Sequence, residues 1–295
     1  MFKNLFATIL LKFITKLFGT GLGNIKPINW SYENIIAKIF LKNLKLKING
    51  CDMVIYTRGT QRLLAGDNLL LSEHIWEPCT TELFKNIIRP GMLIADIGAN
   101  AGYFTLLFAR LTGDSGKVYA FEPDPEAYTR LIKNIQINNF KNIKALPVAI
   151  SDKTGSLTFY LNKISGLSSF HHKEKNSQIL LVDTITLDDW CSSEQISLDI
   201  IKMDIEGHEL NALKGMKYIL ENEANVQLII ELNPSCLIEA GSSTDALWQE
   251  IKAYGFHIKV INEFTHRIYD ISFDQAIELI SNQNKESSFN LWCFK

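Results

Sequence analysis

The spacing of apolar residues changes along the chain, and these changes divide it into elements. From about residue 92 onward, short apolar runs alternate with longer amphipathic stretches. The runs predict buried strands and the stretches predict helices. The predicted strands are 92–96, 118–122, 143–149, 198–204, 225–232, 256–261 and 288–294. The predicted helices are 101–111, 125–138, 207–221 and 244–254. This alternation predicts an α/β fold, a doubly wound Rossmann-like sheet with helices on both faces.

Two regions depart from this alternation. Within 155–190, two strand-like runs flank a loop rich in Ser, Gly and His, from Ser165 to His172. We predict an inserted strand pair with a mobile loop near the site. Residues 44–72 predict short strands and turns, with Asn49-Gly50 as a hairpin turn. Thr80 is a suitable N-cap for a predicted helix at 81–88.

The first 18 residues are amphipathic, with apolar side chains at helical spacing and Lys3, Lys12 and Lys16 among them. The lysines leave the apolar run too short to span a bilayer, and it lacks a signal-peptide cleavage site. Two interpretations stay open: a helix lying on a membrane surface, or one packed on the domain or a second subunit. With the glycine-rich linker 19–27, the pattern predicts an N-terminal extension (1–70) and one domain (71–295).

Charge and cysteine content limit the classes of binding partner and the cellular compartments that fit this chain. The net charge of −2 is not that of a nucleic-acid binder. Residues 1–51 nevertheless hold eight lysines and one acid, which suggests an anionic partner surface. The five cysteines form no C-x-x-C pair, which predicts free thiols, no structural zinc and a cytoplasmic location. A peripheral contact with the inner face of the membrane remains open.

The segment Asp96-Ile-Gly-Ala-Asn-Ala-Gly102 follows the first predicted strand. Gly98 and Gly102 suit a sharp turn from strand to helix, and such a turn is expected to aim free backbone N–H groups at a ligand. Glu122 ends the second predicted strand, where a carboxylate can accept both hydroxyls of a ribose. The pattern therefore predicts an adenosine-bearing cofactor across the first two strands.

The glycine spacing favours S-adenosylmethionine over a nicotinamide cofactor. Asn100 stands where a dinucleotide site has the glycine that lets the backbone approach a pyrophosphate, and S-adenosylmethionine has no phosphate. We expect Asp96 to hold the turn and accept from the cofactor's ammonium. Asn100 caps the following helix or contacts the cofactor's tail. Ser151 and Asp152 follow the third strand, where the adenine edge is expected, although a plain turn also explains them.

Candidate catalytic residues follow the fourth strand. Asp204, Glu206 or His208 is expected to take a proton from a substrate hydroxyl, because an alcohol is a weak nucleophile at neutral pH. Glu206 also suits the start of a helix for electrostatic reasons alone, and a histidine at a helix start is often structural. Glu231 ends the fifth strand and should converge on Asp204. With His208, these carboxylates could bind a divalent cation.

The chain resembles the FkbM-type family of S-adenosylmethionine-dependent methyltransferases over residues 70–295. The matching pieces are Glu77-Pro78, Asp96–Gly102, Phe121-Glu122-Pro123, Ala149–Asp152, Leu187-Asp-Asp189 and Lys202–Glu209. The segment that begins at Glu77 could close over the cofactor, which makes Glu77 a candidate cofactor-binding residue. The resemblance implies a class I methyltransferase sheet of order 3-2-1-4-5-7-6 with strand 7 antiparallel. It also implies O-methylation of a small-molecule or glycan acceptor: a sugar, a glycolipid or a natural product. It does not reach residues 1–51.

Two other function classes stay open at this point. A nicotinamide-dependent oxidoreductase is disfavoured by the glycine spacing and by the lack of a Tyr-x-x-x-Lys pair. A catalytically silent, membrane-associated binding protein of the same fold is disfavoured because Glu122, Asp204 and Glu206 are intact. The oligomeric state is not indicated by the sequence.

Overall fold

The structure, a computed structural model, describes residues 44–55, 75–161, 168–171, 177–281 and 288–295. The predicted helix at 1–18, the linker 19–27 and half of the loop 165–172 lie outside the described residues. Among the described residues, the helices all fall short of the length and apolarity needed to cross a membrane.

The described residues form strands and helices with the following bounds. The strands are β1 (Leu44–Ile48), β2 (Cys51–Ile55), β3 (Leu93–Ile97), β4 (Lys117–Phe121), β5 (Ile143–Leu146), β6 (Ala149–Ile150), β7 (Gly155–Leu161), β8 (Gln178–Ile185), β9 (Ile200–Met203), β10 (Gln227–Leu232), β11 (His257–Asn262), β12 (Arg267–Tyr269) and β13 (Phe289–Phe294). The helices are α1 (Pro78–Ile87), α2 (Tyr103–Thr112), α3 (Pro125–Asn138), α4 (Leu187–Glu194), α5 (Glu209–Lys214), α6 (Lys217–Asn222), α7 (Pro234–Glu239), α8 (Thr244–Ala253) and α9 (Phe273–Ser281).

The central sheet has eight strands in the order β12-β11-β13-β10-β9-β3-β4-β5. Strands β5, β4, β3, β9 and β10 are parallel, whereas β13 is antiparallel to both β10 and β11. The predicted order 3-2-1-4-5-7-6 with an antiparallel seventh strand is confirmed, and β12 extends it by one edge strand. The fold is therefore an α/β doubly wound, Rossmann-like sheet.

The sheet is buried on both faces, because successive residues of each strand point to opposite sides. In β3, Ile94 packs in one apolar cluster with α1 and α2, while Ala95 and Ile97 pack in a second cluster on the other face. The register pairs Asp96 with Lys202. This pairing brings a carboxylate and an ammonium together near the carboxyl ends of β3 and β9.

The β1–β2 hairpin forms at the predicted turn, with both turn residues at positive φ: 48° at Asn49 and 79° at Gly50. The hairpin docks on α3 through two side chains. Asn138 Oδ1 accepts from the backbone N–H of Asp52 at 2.7 Å, and Asn134 Oδ1 accepts from that of Val54 at 2.8 Å. These amides occupy donors that an edge strand would otherwise leave unpaired.

Several predicted elements differ from the observed ones. The predicted strand 143–149 is split, because β6 leaves the central sheet and pairs with β8 in a second sheet of order β6-β8-β7. That sheet contains the predicted strand pair, β7 and β8, which is confirmed. The elements α4, α7, α9 and β12 were not predicted.

Two helix predictions are wrong for local reasons. The helix predicted at 207–221 is two helices, α5 and α6, separated at Gly215 and Met216. Gly215 lies against another segment, since a Cβ there would be 1.9 Å from the carbonyl oxygen of Ser151. Thr80 is not an N-cap, because α1 already begins at Pro78, a residue favoured at the first helical position.

Candidate active site

The turn after β3 is held by hydrogen bonds to the end of β4, which the sequence did not predict. The N–H groups of Gly98 and Ala99 both donate to the carbonyl oxygen of Phe121, at 3.0 and 3.1 Å, and that of Asn100 donates to Glu122 Oε2 at 2.7 Å. The expectation of free N–H groups is therefore wrong for these three residues, because the turn is tied to the end of β4. Because these N–H groups already donate within the protein, they are not available to a pyrophosphate, and the turn suits a ligand without phosphate.

Gly98 is required by a close approach as well as by its φ of 77°. A Cβ there would lie 1.9 Å from the carbonyl oxygen of Asp204. The turn at residues 98–102 (the cofactor turn) thus contacts the loop that follows β9. Asn100 has a φ of 48° and precedes the N-cap of α2, which is Gly102. The predicted capping role of Asn100 is therefore wrong, and its contact with the cofactor's tail stays a prediction.

Glu122 is buried and bridges two turns. Its Oε2 accepts from Asn100, and its Oε1 accepts from the N–H of Asp124 at 2.8 Å. Burial raises the pKa of the carboxyl to about 7, although the two backbone donors lower it in part. Each oxygen accepts one of these hydrogen bonds and has a second lone pair. The position is thus compatible with the predicted contact to ribose hydroxyls.

A buried lysine lies at the centre of the site. Lys202 Nζ is 3.2 Å from Asp204 Oδ2, 4.0 Å from Asp96 Oδ1 and 5.2 Å from the centre of the Phe104 ring. Burial by itself lowers the pKa of Lys202, but the carboxylates of Asp204, Asp96 and Glu77 outweigh it and raise the pKa above its usual value. Lys202 is therefore a fixed positive charge and not a base at neutral pH.

Asp96 is fully buried, and only one of its two carboxylate oxygens has a hydrogen bond. Its Oδ2 accepts from the hydroxyl of Thr105 in α2, whereas its Oδ1 has no hydrogen-bond partner. Burial raises the pKa of this carboxyl, which Lys202 and Thr105 partly offset. Oδ1 keeps its acceptor capacity, and the predicted contact with the cofactor's ammonium stays a prediction.

Glu77 joins the first described helix to the last strand. It is the N-cap of α1 with a φ of 43°, and its carboxylate accepts from Trp76 Nε1 at 3.1 Å and from Asn290 Nδ2 at 2.8 Å. Burial, followed by the charge of Asp204, raises the pKa of Glu77 to about 7. The structure thus places Glu77 beside Lys202 and Asp204. Its predicted cofactor contact stays a prediction.

Three carboxylates converge beyond Lys202. One oxygen each of Asp204, Glu206 and Glu231 lies within 4.8 Å of the others. Burial raises the pKa of Glu206 to about 8, and the charge of Asp204 adds to this effect. Burial and the charge of Asp204 also raise the pKa of Glu231 well above its usual value. Two of the three predicted catalytic residues, Asp204 and Glu206, are therefore neighbours.

His208 belongs to a different network. Its Nε2 is 2.9 Å from Ser151 Oγ, and its Nδ1 is 3.1 Å from Nε2 of His171. Because Ser151 Oγ donates to Asp152 at 3.0 Å, it accepts from His208, and His208 Nδ1 then accepts from His171. Burial, with His171 beside it, lowers the pKa of His208 to about 4. Both ring nitrogens of His208 are therefore occupied, and the catalytic roles of Asp204, Glu206 and His208 stay predictions.

The same network bears on the predicted adenine subsite. Ser151 is completely buried and bonded to His208, whereas Asp152 is exposed. Asp152 is therefore the more accessible of the two for a ligand. The roles predicted for both residues stay predictions.

Comparison with known proteins shows to which family this chain belongs. The family model described as the methyltransferase FkbM domain matches residues 96–258, which span the turn, Glu122 and the loop after β9. The chain belongs to the FkbM methyltransferase family. Its cofactor is accordingly S-adenosylmethionine, and the acidic site fits this ligand, whose ammonium and sulfonium groups are cationic.

Individual relatives of this FkbM-family chain are distant. A hexuronic acid methyltransferase of Haloferax volcanii is 29% identical over 128 residues, 43% of this chain and 51% of the relative. A 31-O-demethyl-FK506 methyltransferase of Streptomyces tacrolimicus is 30% identical over 125 residues, 42% of this chain and 46% of the relative. The matches thus span about half the length of these relatives.

A solved structure of methyltransferase FkbM from Methylobacillus flagellatus has 19% sequence identity to this chain and a TM-score of 0.44. The superposition covers 78% of this chain and 53% of that one.

Sequence reasoning missed several residues that form this FkbM-family site. Lys202 and Glu209 lie within the Lys202–Glu209 motif, so a signal for them was present. Asn290 had none, because it lies in an ordinary apolar strand. Glu263, after β11, accepts from the N–H groups of Cys79 and Thr80, both at 2.8 Å, and so fixes the start of α1.

Proposed function

We propose that this protein is an O-methyltransferase that acts on a hydroxyl of a sugar, a glycan or glycolipid, or a natural product. The observation that carries the proposal is the contact between the cofactor turn and the acidic loop. Gly98 touches the backbone of Asp204 with no room for a side chain. A methyl donor held by the turn would therefore lie next to the carboxylates after β9.

The cofactor would be held by residues around the first two strands. Glu122 would accept from the ribose hydroxyls, and the free Oδ1 of Asp96 would accept from the ammonium. Gly98, Asn100 and Gly102 would shape the turn below it, while Asp152 with Ser151 would border the adenine and Glu77 would close the site. When bound, S-adenosylmethionine supplies an electrophilic methyl group.

The residues after β9 would prepare the acceptor. A carboxylate beside the acceptor is suited to accept a proton from its hydroxyl. Because burial raises the pKa of Glu206 to about 8, Glu206 would accept a proton only above neutral pH. Asp204 is 30% exposed in its side chain and is paired with Lys202, so an acceptor can reach it. Lys202 would hold Asp204 in place, and His208 would position the loop through Ser151.

The acceptor class is supported by the names of two relatives. One is a hexuronic acid methyltransferase and the other a 31-O-demethyl-FK506 methyltransferase. The first name states a sugar acid, and the second states an oxygen-linked methyl group. We accordingly expect a hydroxyl on a sugar, a glycan or glycolipid, or a natural product, and no nucleic acid.

A transfer assay with radiolabelled S-adenosylmethionine tests the proposal. Acceptors would include uronic acid oligosaccharides, neutral glycans and hydroxylated natural products. Products would then be treated with mild alkali, because a methyl ether survives this treatment whereas a methyl ester does not. Alkali-stable label would support O-methylation of a hydroxyl. Alkali-labile label would move the acceptor group to a carboxylate.

Calorimetric titration with S-adenosylhomocysteine, with NADH as the control, tests the cofactor site separately. Binding of S-adenosylhomocysteine without transfer to any acceptor would favour the silent binding protein. Binding of NADH alone would overturn the proposal in favour of an oxidoreductase.

A further inference from the structure

We propose that Asp204, Glu206 and Glu231 form a binding site for a hard divalent cation of the Mg²⁺ and Mn²⁺ class. The three carboxylates come from the carboxyl ends of two neighbouring parallel strands, β9 and β10. One oxygen from each lies within 4.8 Å of the other two. Cations of this class prefer oxygen ligands and bind through a few carboxylates, with water or substrate completing the shell.

Buried oxygens without donors point to a ligand at this place. Glu209 is 1% exposed, and its Oε1 accepts from the N–H groups of Ile205 and Gly207, which flank Glu206 in the loop. Its other oxygen, Oε2, is buried and has no partner, and the same is true of Glu231 Oε2. An unsatisfied buried acceptor is costly. A cation bound to the cluster, or water on that cation, would satisfy the oxygen of Glu231, which is one of the three carboxylates.

One cationic side chain lies beside the cluster. Within the described residues, Lys202 is the basic side chain bonded to it, and its ammonium already lies between Asp204 and Asp96. A divalent cation would supply the charge that lets Asp204, Glu206 and Glu231 be ionised together.

The type of ligand atom in the cluster indicates which metal ions it would bind. The three side chains offer oxygen atoms, whereas His208 is engaged with Ser151 and His171. The cation site suggested by the sequence, with His208 as a ligand, is thus replaced by one with Glu206. Cys236 Sγ donates to Glu206 Oε2 at 3.1 Å and is thus engaged as a hydrogen-bond donor. Oxygen ligands favour Mg²⁺ or Mn²⁺ over soft metals.

The role of the cation rests on the proposed function. A divalent cation beside Asp204 would bind the acceptor hydroxyl and lower its pKa. Asp204 could then accept the proton through the carboxylate oxygen that does not bind the cation. Two vicinal hydroxyls, or a hydroxyl beside a carboxylate, could bind the cation together. The site would thereby select acceptors that present two neighbouring oxygens.

The test is titration of the full chain with Mn²⁺, followed by electron paramagnetic resonance of the free ion, without cofactor or acceptor. We expect one bound Mn²⁺ with a dissociation constant below about 1 mM, displaced by Mg²⁺. Glu231→Gln should weaken binding at least about tenfold. The matched control is Glu221→Gln, which changes an exposed carboxylate of α6 that pairs with Lys217, and its Mn²⁺ affinity should equal that of the unmodified chain.

Thermal unfolding provides a second measurement of Mn²⁺ binding, through the rise in Tm that the bound ion causes. At about a hundredfold excess over the dissociation constant, Mn²⁺ should raise Tm of the unmodified chain by about 5 °C or more relative to EDTA. The Tm of Glu231→Gln should rise less with Mn²⁺ than the Tm of the unmodified chain does.

Three results would overturn the proposal: no Mn²⁺ binding, equal binding by Glu231→Gln and the unmodified chain, or complete displacement of Mn²⁺ by S-adenosylmethionine. The last result would assign the carboxylates to the cationic groups of the cofactor. Because the titration needs neither cofactor nor acceptor, failure of the cation site is distinguishable from failure of the proposed methyl transfer.

Discussion

Replacement of Gly98 by alanine tests whether the cofactor turn and the loop after β9 touch as closely as the structure shows. A Cβ at Gly98 would lie 1.9 Å from the carbonyl oxygen of Asp204, about 1.1 Å less than the 3.0 Å that such contacts require. The obstructing atom belongs to the backbone and cannot rotate away. The turn and the loop would therefore have to separate.

Gly255 is a matched control for this substitution. Its φ of 83° is close to the 77° of Gly98, but a Cβ there would meet nothing within 4 Å. Both alanine variants incur the penalty of a left-handed backbone, about 1–2 kcal/mol. Only Gly98→Ala adds the overlap, worth about 1–3 kcal/mol more. We expect total losses of about 2–5 kcal/mol for Gly98→Ala and about 1–2 kcal/mol for Gly255→Ala.

Urea unfolding measures these losses, and calorimetric titration with S-adenosylhomocysteine measures the effect on the site. Gly98→Ala should weaken binding at least about tenfold, because a displacement of this size disrupts a preorganised site. Gly255→Ala should bind as the unmodified chain does. Equal destabilisation of the two variants, with unchanged binding in both, would refute the close approach and the placement of the cofactor beside Asp204.

Three further predictions concern the carboxylates. Glu122→Ala should weaken S-adenosylhomocysteine binding by about 1–3 kcal/mol, from the loss of charge-assisted hydrogen bonds; an unchanged dissociation constant would refute the ribose contact. Asp204→Asn should leave that constant unchanged but lower kcat, and wild-type turnover would remove Asp204 from the mechanism. Glu77, Glu122 and Glu209 have pKa values of about 7 when folded, against 4.5 when unfolded, so between these values the folded chain binds more protons. Stability without ligands should therefore fall as pH rises from about 4.5 to about 7; a higher urea midpoint at pH 8 than at pH 5.5, in EDTA, would contradict this.

Local sequence patterns predicted the central sheet because each strand carries its own signal. The apolar run before Asp96 and the two glycines after it define β3 and its turn without reference to the rest of the chain. The alternation of strands and helices then limits the sheet to a doubly wound arrangement, since parallel neighbours need a crossover between them. The helix Pro125–Asn138 was predicted with its observed bounds for the same reason: Asp124 caps it and Pro125 begins it.

The errors arose where distant segments meet. The helix predicted at 207–221 is interrupted at Gly215, which lies against the backbone of Ser151. The start of α1 is fixed by Glu263, more than 180 residues further along the chain. Neither contact leaves a mark in the local periodicity, because the periodicity reports which face is buried and not what covers it.

The sequence by itself determined the sheet, the cofactor turn and the identities of the acidic residues, since these depend on residue type and on spacing along one element. Only the tertiary structure decided how those residues combine. It separated His208 from Asp204, buried Lys202 among carboxylates, and brought Glu231 and Asn290 to the same site from different strands. The physical reason is that burial and the distance between charges, which set pKa values and ligand geometry, are properties of packing between distant segments.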